Sequence, residues 1–209
     1  MLESLARTIR ERNLETELFT DLLSAFEQDL AVRRYDREGL MDYCRRSANP
    51  IGRLVLRVFG LRDRRLDSLS DRICTALQLL NHLQDMRSDL IERDRIYFPA
   101  EDLARFSVQE VDLRAARANA AVRAFAMHWA RQLGREFAAG WEIVGAVTGR
   151  LRWELRAVIH GAARVLRRIE SEEGDVLGGR VRLSRAERLM ALLRGCLRKR
   201  PPRWPKGAA

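Results

Sequence analysis

The sequence is nearly without lysine: of 39 basic residues only Lys199 and Lys206 are lysines, and the rest are arginines. Those arginines are spread over every predicted helix and mixed with acids rather than gathered in one block. The formal net charge of +10 therefore reads as coding bias, and no nucleic-acid partner is expected. A positive field would still attract a diphosphate or an anionic membrane surface. Cysteine is also scarce. Cys44, Cys74 and Cys196 are far apart, odd in number and form no CxxC pair, so neither a disulfide framework nor a zinc site is indicated. A reducing cytoplasm fits this usage. No run of about 18 uncharged apolar residues is present, so no transmembrane helix is predicted. The start, MLESLARTIRER, is charged throughout and lacks the apolar stretch of a secretory signal. There is no glycine-rich phosphate loop, no alternating strand pattern and no internal repeat.

Apolar residues at helical spacing occur almost everywhere. Residues 15–34 carry Leu18, Leu22, Leu23, Phe26 and Leu30, one stripe of an amphipathic helix. A second helical stretch covers 37–59, with a break or kink at Asn49-Pro50. Residues 60–67 read as a connection, and Ser68 or Ser70 could cap a helix over 70–92. Tyr97-Phe98-Pro99 marks a short turn. Helical regions follow over 110–146, 150–171 and 184–198, with Gly174 a plausible C-cap after the second. These elements predict an all-α fold packed as a bundle, one domain over 1–198. The Pro-rich basic segment 199–209 reads as a disordered tail.

The informative segment runs from Ile73 to Asp89. With Gln78 at zero on a helical wheel, Asn81 falls near −60°, Asp85 near −20° and Asp89 near +20°, a face roughly 80° wide. The bland reading is a solvated polar stripe. Charge counting favours an enclosed cavity. Residues 73–84 contain no Asp, Glu, Lys or Arg in a chain that is 33% charged. A solvent face here should show arginine and glutamate. It shows Gln and Asn, then two carboxylates, and such groups need polar or cationic partners when buried. Carboxylates one turn apart suit Mg²⁺, which takes one or two of them plus phosphate oxygens. Leu77, Phe125, Met127 and Trp129 are candidates for an apolar cavity wall, although helical apolar residues are more often plain core.

Three stretches resemble the squalene/phytoene synthase family. Gln78-x-x-Asn81-x-x-x-Asp85-x-x-x-Asp89 is similar to its second aspartate-rich motif. Arg95-x-Tyr97-Phe98-Pro99 resembles the turn that follows. Arg34-Tyr35 and then Tyr43-Cys44-Arg45-Arg46-Ser47-Ala48-Asn49-Pro50-x-Gly52 resemble a second signature, in a form closest to the hopanoid-pathway, water-capturing branch. The resemblance covers residues 15–198 and implies an isoprenoid-synthase-type helical bundle around a central cavity. It implies Mg²⁺ on Asp85 and Asp89, with Asn81 beside them. Gln78 and Asn81 would line the diphosphate end, Tyr43 and Arg34 would face the cavity, and Arg95 and Tyr97 would hold the diphosphate or close the site. Tyr43 as a core aromatic and Arg95 as a surface arginine are the plain alternatives. Gly52 would allow close helix packing.

The implied substrate is a prenyl diphosphate, presqualene or farnesyl. The implied reaction is Mg²⁺-assisted ionisation of presqualene diphosphate and capture by water. Condensation of two prenyl diphosphates, or a non-catalytic helical binding module, are the alternatives. The family's first aspartate-rich motif is expected upstream of Met1. Asp63-x-x-x-Asp67 copies its spacing but reads as a surface loop. The chain is therefore expected to lack the first helices, to be unable to build the whole Mg²⁺ cluster alone, and to expose an apolar groove prone to self-association. A cytoplasmic location, with room for peripheral contact at the inner face of the membrane, completes the expectation.

Overall fold

The computed structural model describes residues 2–179, 190 and 200–207. Among the described residues ten helices follow one another: α1 (Leu2–Glu11), α2 (Thr16–Ala31), α3 (Arg37–Ser47), α4 (Asn49–Val58), α5 (Arg64–Arg93), α6 (Ala100–Arg105), α7 (Glu110–Arg114), α8 (Ala120–Gly140), α9 (Glu142–Ala146) and α10 (Gly149–Ser171). Among the described residues there is no strand, only an isolated bridge between Arg34 and Ile96. The helix expected over 184–198 lies outside the described residues.

The long helix α5 is the axis of the bundle and packs most extensively against α8 and α4. Its start is set by Asp63, whose side chain accepts from the backbone N–H of Arg65 and Leu66 at 2.7 and 3.0 Å. This is an N-cap in the usual sense, and it corrects the expected cap at Ser68 or Ser70. It also corrects the surface-loop reading of 63–67. Asp67 sits in the first turn of α5, where both of its oxygens take the buried Arg57 guanidinium at 2.7 Å. The same Arg57 reaches Glu15 at 2.8 Å, so one charge-assisted knot ties α4 and α5 to the chain entering α2. At Gly52 a Cβ would collide with Ser70 Oγ and stand 2.6 Å from Cys74 Sγ. The expected close approach of α4 and α5 is therefore present, and only glycine permits it.

Three expectations need correction. On α2 the expected core stripe is rotated. Leu18 and Ala25 are buried, but Leu23, Phe26 and Leu30 are 61, 58 and 78% exposed. The long helix over 110–146 is three helices. Residues 115–119 break it, Asn119 caps α8 by accepting from Val122 N at 2.9 Å, and Trp141 separates α8 from α9. The tail is not loose over 200–207. Trp204 stacks on Phe137 with ring centroids 5.9 Å apart and planes within 5°. Glu170 accepts from Lys206 N at 3.0 Å, and Arg135 donates to the Gly207 carbonyl at 3.1 Å.

Gly174 performs its expected duty. Its φ is +79°, its N–H returns to the Ile169 carbonyl at 2.8 Å, and a Cβ there would meet the Arg123 carbonyl oxygen at 2.5 Å. The next residue, Asp175, is buried. It accepts from Ala118 N at 3.0 Å and from Arg123 Nη2 at 3.2 Å. The chain leaving α10 is thereby fastened to the start of α8.

Candidate active site

Two of the cavities among the described residues that border α5 bear on the site. One, of about 590 Å³, lies between α3, α5 and α8 and is lined by Arg37, Met41, Thr75, Leu79, Trp129 and Gln132 among others. The second, of about 320 Å³, is the polar one. Gln84, Asp85, Ser88 and Asp89 of α5 form one wall, Arg87 and Arg93 stand at its sides, and Val176 and Leu177 face it from the segment after α10. Trp129 thus reaches a cavity wall as expected, whereas Phe125 is wholly buried core. Leu77 and Met127 are only half-buried.

Asp85 and Asp89 lie one turn apart on α5 and share the polar cavity. Asp89 is only 5% exposed. Burial, and then the neighbouring charge of Asp85, hold its carboxyl above the usual carboxylate range. Its partner is Arg93, whose Nη1 donates at 2.8 Å from the next turn. A buried carboxylate beside a second carboxylate is a site for a cation, and the oxygen-only donor set is the one Mg²⁺ prefers. The residues fit that ion as a pair. Among the described residues, no group of three or more His, Cys, Asp or Glu side chains stands together.

Gln78 and Asn81 share the helix face but line neither cavity. Gln78 is half-buried and Asn81 is exposed. Arg34 is also apart from the acids. Its guanidinium pairs with Asp94 and Glu110 at 2.9 Å each, on the surface. Tyr43, Arg95 and Tyr97, by contrast, are brought together beneath α5. Arg95 is buried, so it is no surface arginine, and its guanidinium donates to Tyr97 Oη at 2.9 Å and to the Val32 carbonyl at 3.3 Å.

Two members of this cluster carried no sequence signal of their own. His82 stacks on Tyr97 with centroids 3.5 Å apart. Complete burial, with Arg95 nearby, pushes its imidazole down to about 3, so it is neutral near neutrality. Asp29 of α2 accepts from Tyr43 Oη at 2.9 Å and from Tyr97 Oη at 3.2 Å. Arg95 Nη1 lies 3.3 Å from the same carboxylate. The clue to Asp29 is its register: on a wheel it falls within roughly 20–40° of Leu18 and Ala25, the residues that turn out to be core.

No helix among the described residues is long and apolar enough to cross a membrane. The model of the squalene/phytoene synthase family matches residues 1–187. The chain is 33% identical to a hydroxysqualene synthase of Sinorhizobium fredii over 81% of its own length and 58% of that protein's. It is 32% identical to a hydroxysqualene synthase of Rhodopseudomonas palustris over 90% of its length and 64% of the relative's. The crystal structure of squalene synthase HpnC from Alicyclobacillus acidocaldarius superposes with a TM-score of 0.77 at 38% identity, covering 82% of this chain and 65% of that one. The chain thus spans less than two thirds of the length of each of these relatives. Its helical bundle is the isoprenoid-synthase fold, and the chain belongs to the squalene/phytoene synthase family.

Proposed function

We propose that this chain carries the second acidic half-site of an isoprenoid synthase that ionises presqualene diphosphate with Mg²⁺ and yields hydroxysqualene by water capture. The observation that carries the reading is the buried Asp89 beside Asp85 at the mouth of a polar cavity flanked by arginines. Its burial speaks against a merely solvated acidic stripe, and so against a non-catalytic binding module. Asp85 and Asp89 would hold the metal, and Asn81, which lies outside the cavity, would not. When bound, the metal supplies neutralisation of the charge that builds on the departing diphosphate. Arg87 and Arg93 add positive charge at the cavity wall and would orient phosphate oxygens. The wider cavity, where Met41, Leu79 and Trp129 stand among charged residues such as Asp71, Arg72 and Glu136, would take the hydrocarbon part along its apolar side. Names carried by relatives of similar length coverage support this branch of the family.

The test is incubation with presqualene diphosphate and Mg²⁺, for this chain and for one extended upstream in its reading frame. Hydroxysqualene from the extended chain, lost in Asp85→Ala and Asp89→Ala, is the expected result. Robust turnover by the 209-residue chain would overturn the half-site reading, and squalene or phytoene as product would overturn the water-capture reading. The outward apolar residues of α2 and α4, among them Phe26, Leu30, Ile51 and Val58, support self-association. A concentration-independent monomer by light scattering would refute that.

A further inference from the structure

The chain has three tyrosines, Tyr35, Tyr43 and Tyr97, and all three stand in one buried cluster. Ring centroids are 5.5 Å apart for Tyr35–Tyr43, 5.3 Å for Tyr35–Tyr97 and 5.5 Å for Tyr43–Tyr97. The cluster joins four parts of the fold. Asp29 comes from α2, Tyr43 from α3 and His82 from α5, and Arg95 and Tyr97 follow α5. The charged and titratable groups that face it are Asp29, Arg95 and His82, with Asp89 beyond Arg95. At the centre, one carboxylate receives two phenol protons on separate oxygens. Tyr43 donates to Asp29 Oδ2 and Tyr97 to Oδ1.

A phenol has a single O–H. Once that proton points at Asp29, the oxygen of Tyr43 can meet any other partner only as an acceptor. The oxygen of Tyr97 has already taken the Arg95 N–H at 2.9 Å. We propose that Asp29 is a positioning residue that turns both phenol protons inward, so that neither Tyr43 nor Tyr97 is left a proton to donate to phosphate. This inference rests on the reaction proposed above for its catalytic meaning, but its geometry stands without it. Burial, followed by the charges and phenols around them, already holds all three tyrosines above their usual range, Tyr35 up to about 12.

Because no tyrosine lies elsewhere, the near-ultraviolet absorbance of tyrosinate reports on this cluster alone. In the unaltered chain tyrosinate should appear only in step with alkaline loss of helix. Asp29→Asn removes the negative charge and should bring its onset down by about one pH unit or more, before the helical circular dichroism falls. Asp29→Glu, which keeps the charge, should stay nearer to the unaltered chain. An Asp29→Asn onset equal to that of the unaltered chain overturns the proposal. Should Asp29→Asn not fold, proton NMR of the unaltered chain decides: two slowly exchanging downfield hydroxyl resonances are expected, one absent in Tyr43→Phe and the other in Tyr97→Phe. Absence of both resonances overturns the proposal. In the upstream-extended chain Asp29→Asn should lower kcat about tenfold and leave KM within about twofold. A rise in KM at constant kcat would refute the assignment. An extended chain inactive without any substitution would refute the proposed reaction, while the tyrosinate and hydroxyl measurements would still judge Asp29.

Discussion

Asp89→Asn exchanges a carboxylate for an amide of nearly the same shape, and the structure predicts that it stabilises the metal-free chain. Asp89 is buried, and Asp85 stands one turn earlier on α5. At about 6 Å and an effective dielectric near 20, two like charges repel by about 3 kcal/mol. The compensation is Arg93 at 2.8 Å, an i,i+4 partner whose own side chain is 58% exposed. Such a half-solvated pair returns no more than about 1 kcal/mol. The net expectation is a gain of about 1–2 kcal/mol for Asp89→Asn, a rise in Tm of roughly 2–6 °C for a chain of this size. Mg²⁺ should reverse the order. At a hundredfold excess over its Kd a ligand adds about 2.7 kcal/mol, and the unaltered chain should gain this while the variant should not. Thermal unfolding followed by circular dichroism, with and without Mg²⁺ at constant ionic strength, measures both. An Asp89→Asn chain that melts lower than the unaltered one without Mg²⁺ would refute the reasoning. It would make Asp89 a structural partner of Arg93 rather than a strained metal ligand.

His82 gives a pH test. Its imidazole is held down to about 3 in the fold against an ordinary value near 6.5. Below pH 6.5 the unfolded chain takes a proton that the folded chain refuses, so acid lowers stability by about 1.4 kcal/mol per pH unit through this window. His82→Phe, which keeps a ring against Tyr97, should remove this component, and urea midpoints from pH 7 to 4 should separate the two chains. Ending the chain after Lys199 should uncover the Phe137 face that Trp204 covers. A loss of about 1–2 kcal/mol is expected in denaturant titrations, and an unchanged midpoint would show that the segment contributes nothing.

The polar helix was legible because an uncharged run in so charged a chain is anomalous, and residues 73–84 combine that anomaly with helical spacing. The break before Pro50 and the turn at Gly174 were legible because proline and glycine restrict the backbone wherever they stand. The face of α2 was not. Leu23, Phe26 and Leu30 point outward, and the half-buried Asp29 shares the inward face with Leu18 and Ala25. Two phenols and a guanidinium receive it there. A sequence shows the hydrophobic stripe but not the partners that make a carboxylate tolerable inside. The divisions between α7, α8 and α9 were missed for a related reason. They depend on Asn119 and Trp141, neither of which is a breaker by composition. His82 stood in plain view between Asn81 and Leu83, yet only the ring stacked on it distinguishes it from any core residue.

The Asp175 fastening bears on how the polar cavity keeps its width. Val176 and Leu177 reach the acidic wall from a segment that hydrogen bonds to Ala118 and Arg123 hold in place. The gap across the cavity therefore depends on that anchor as well as on α5. α8 acts as the spacer, and a change at Arg123 would alter the opening in front of Asp85 and Asp89 without touching either of them.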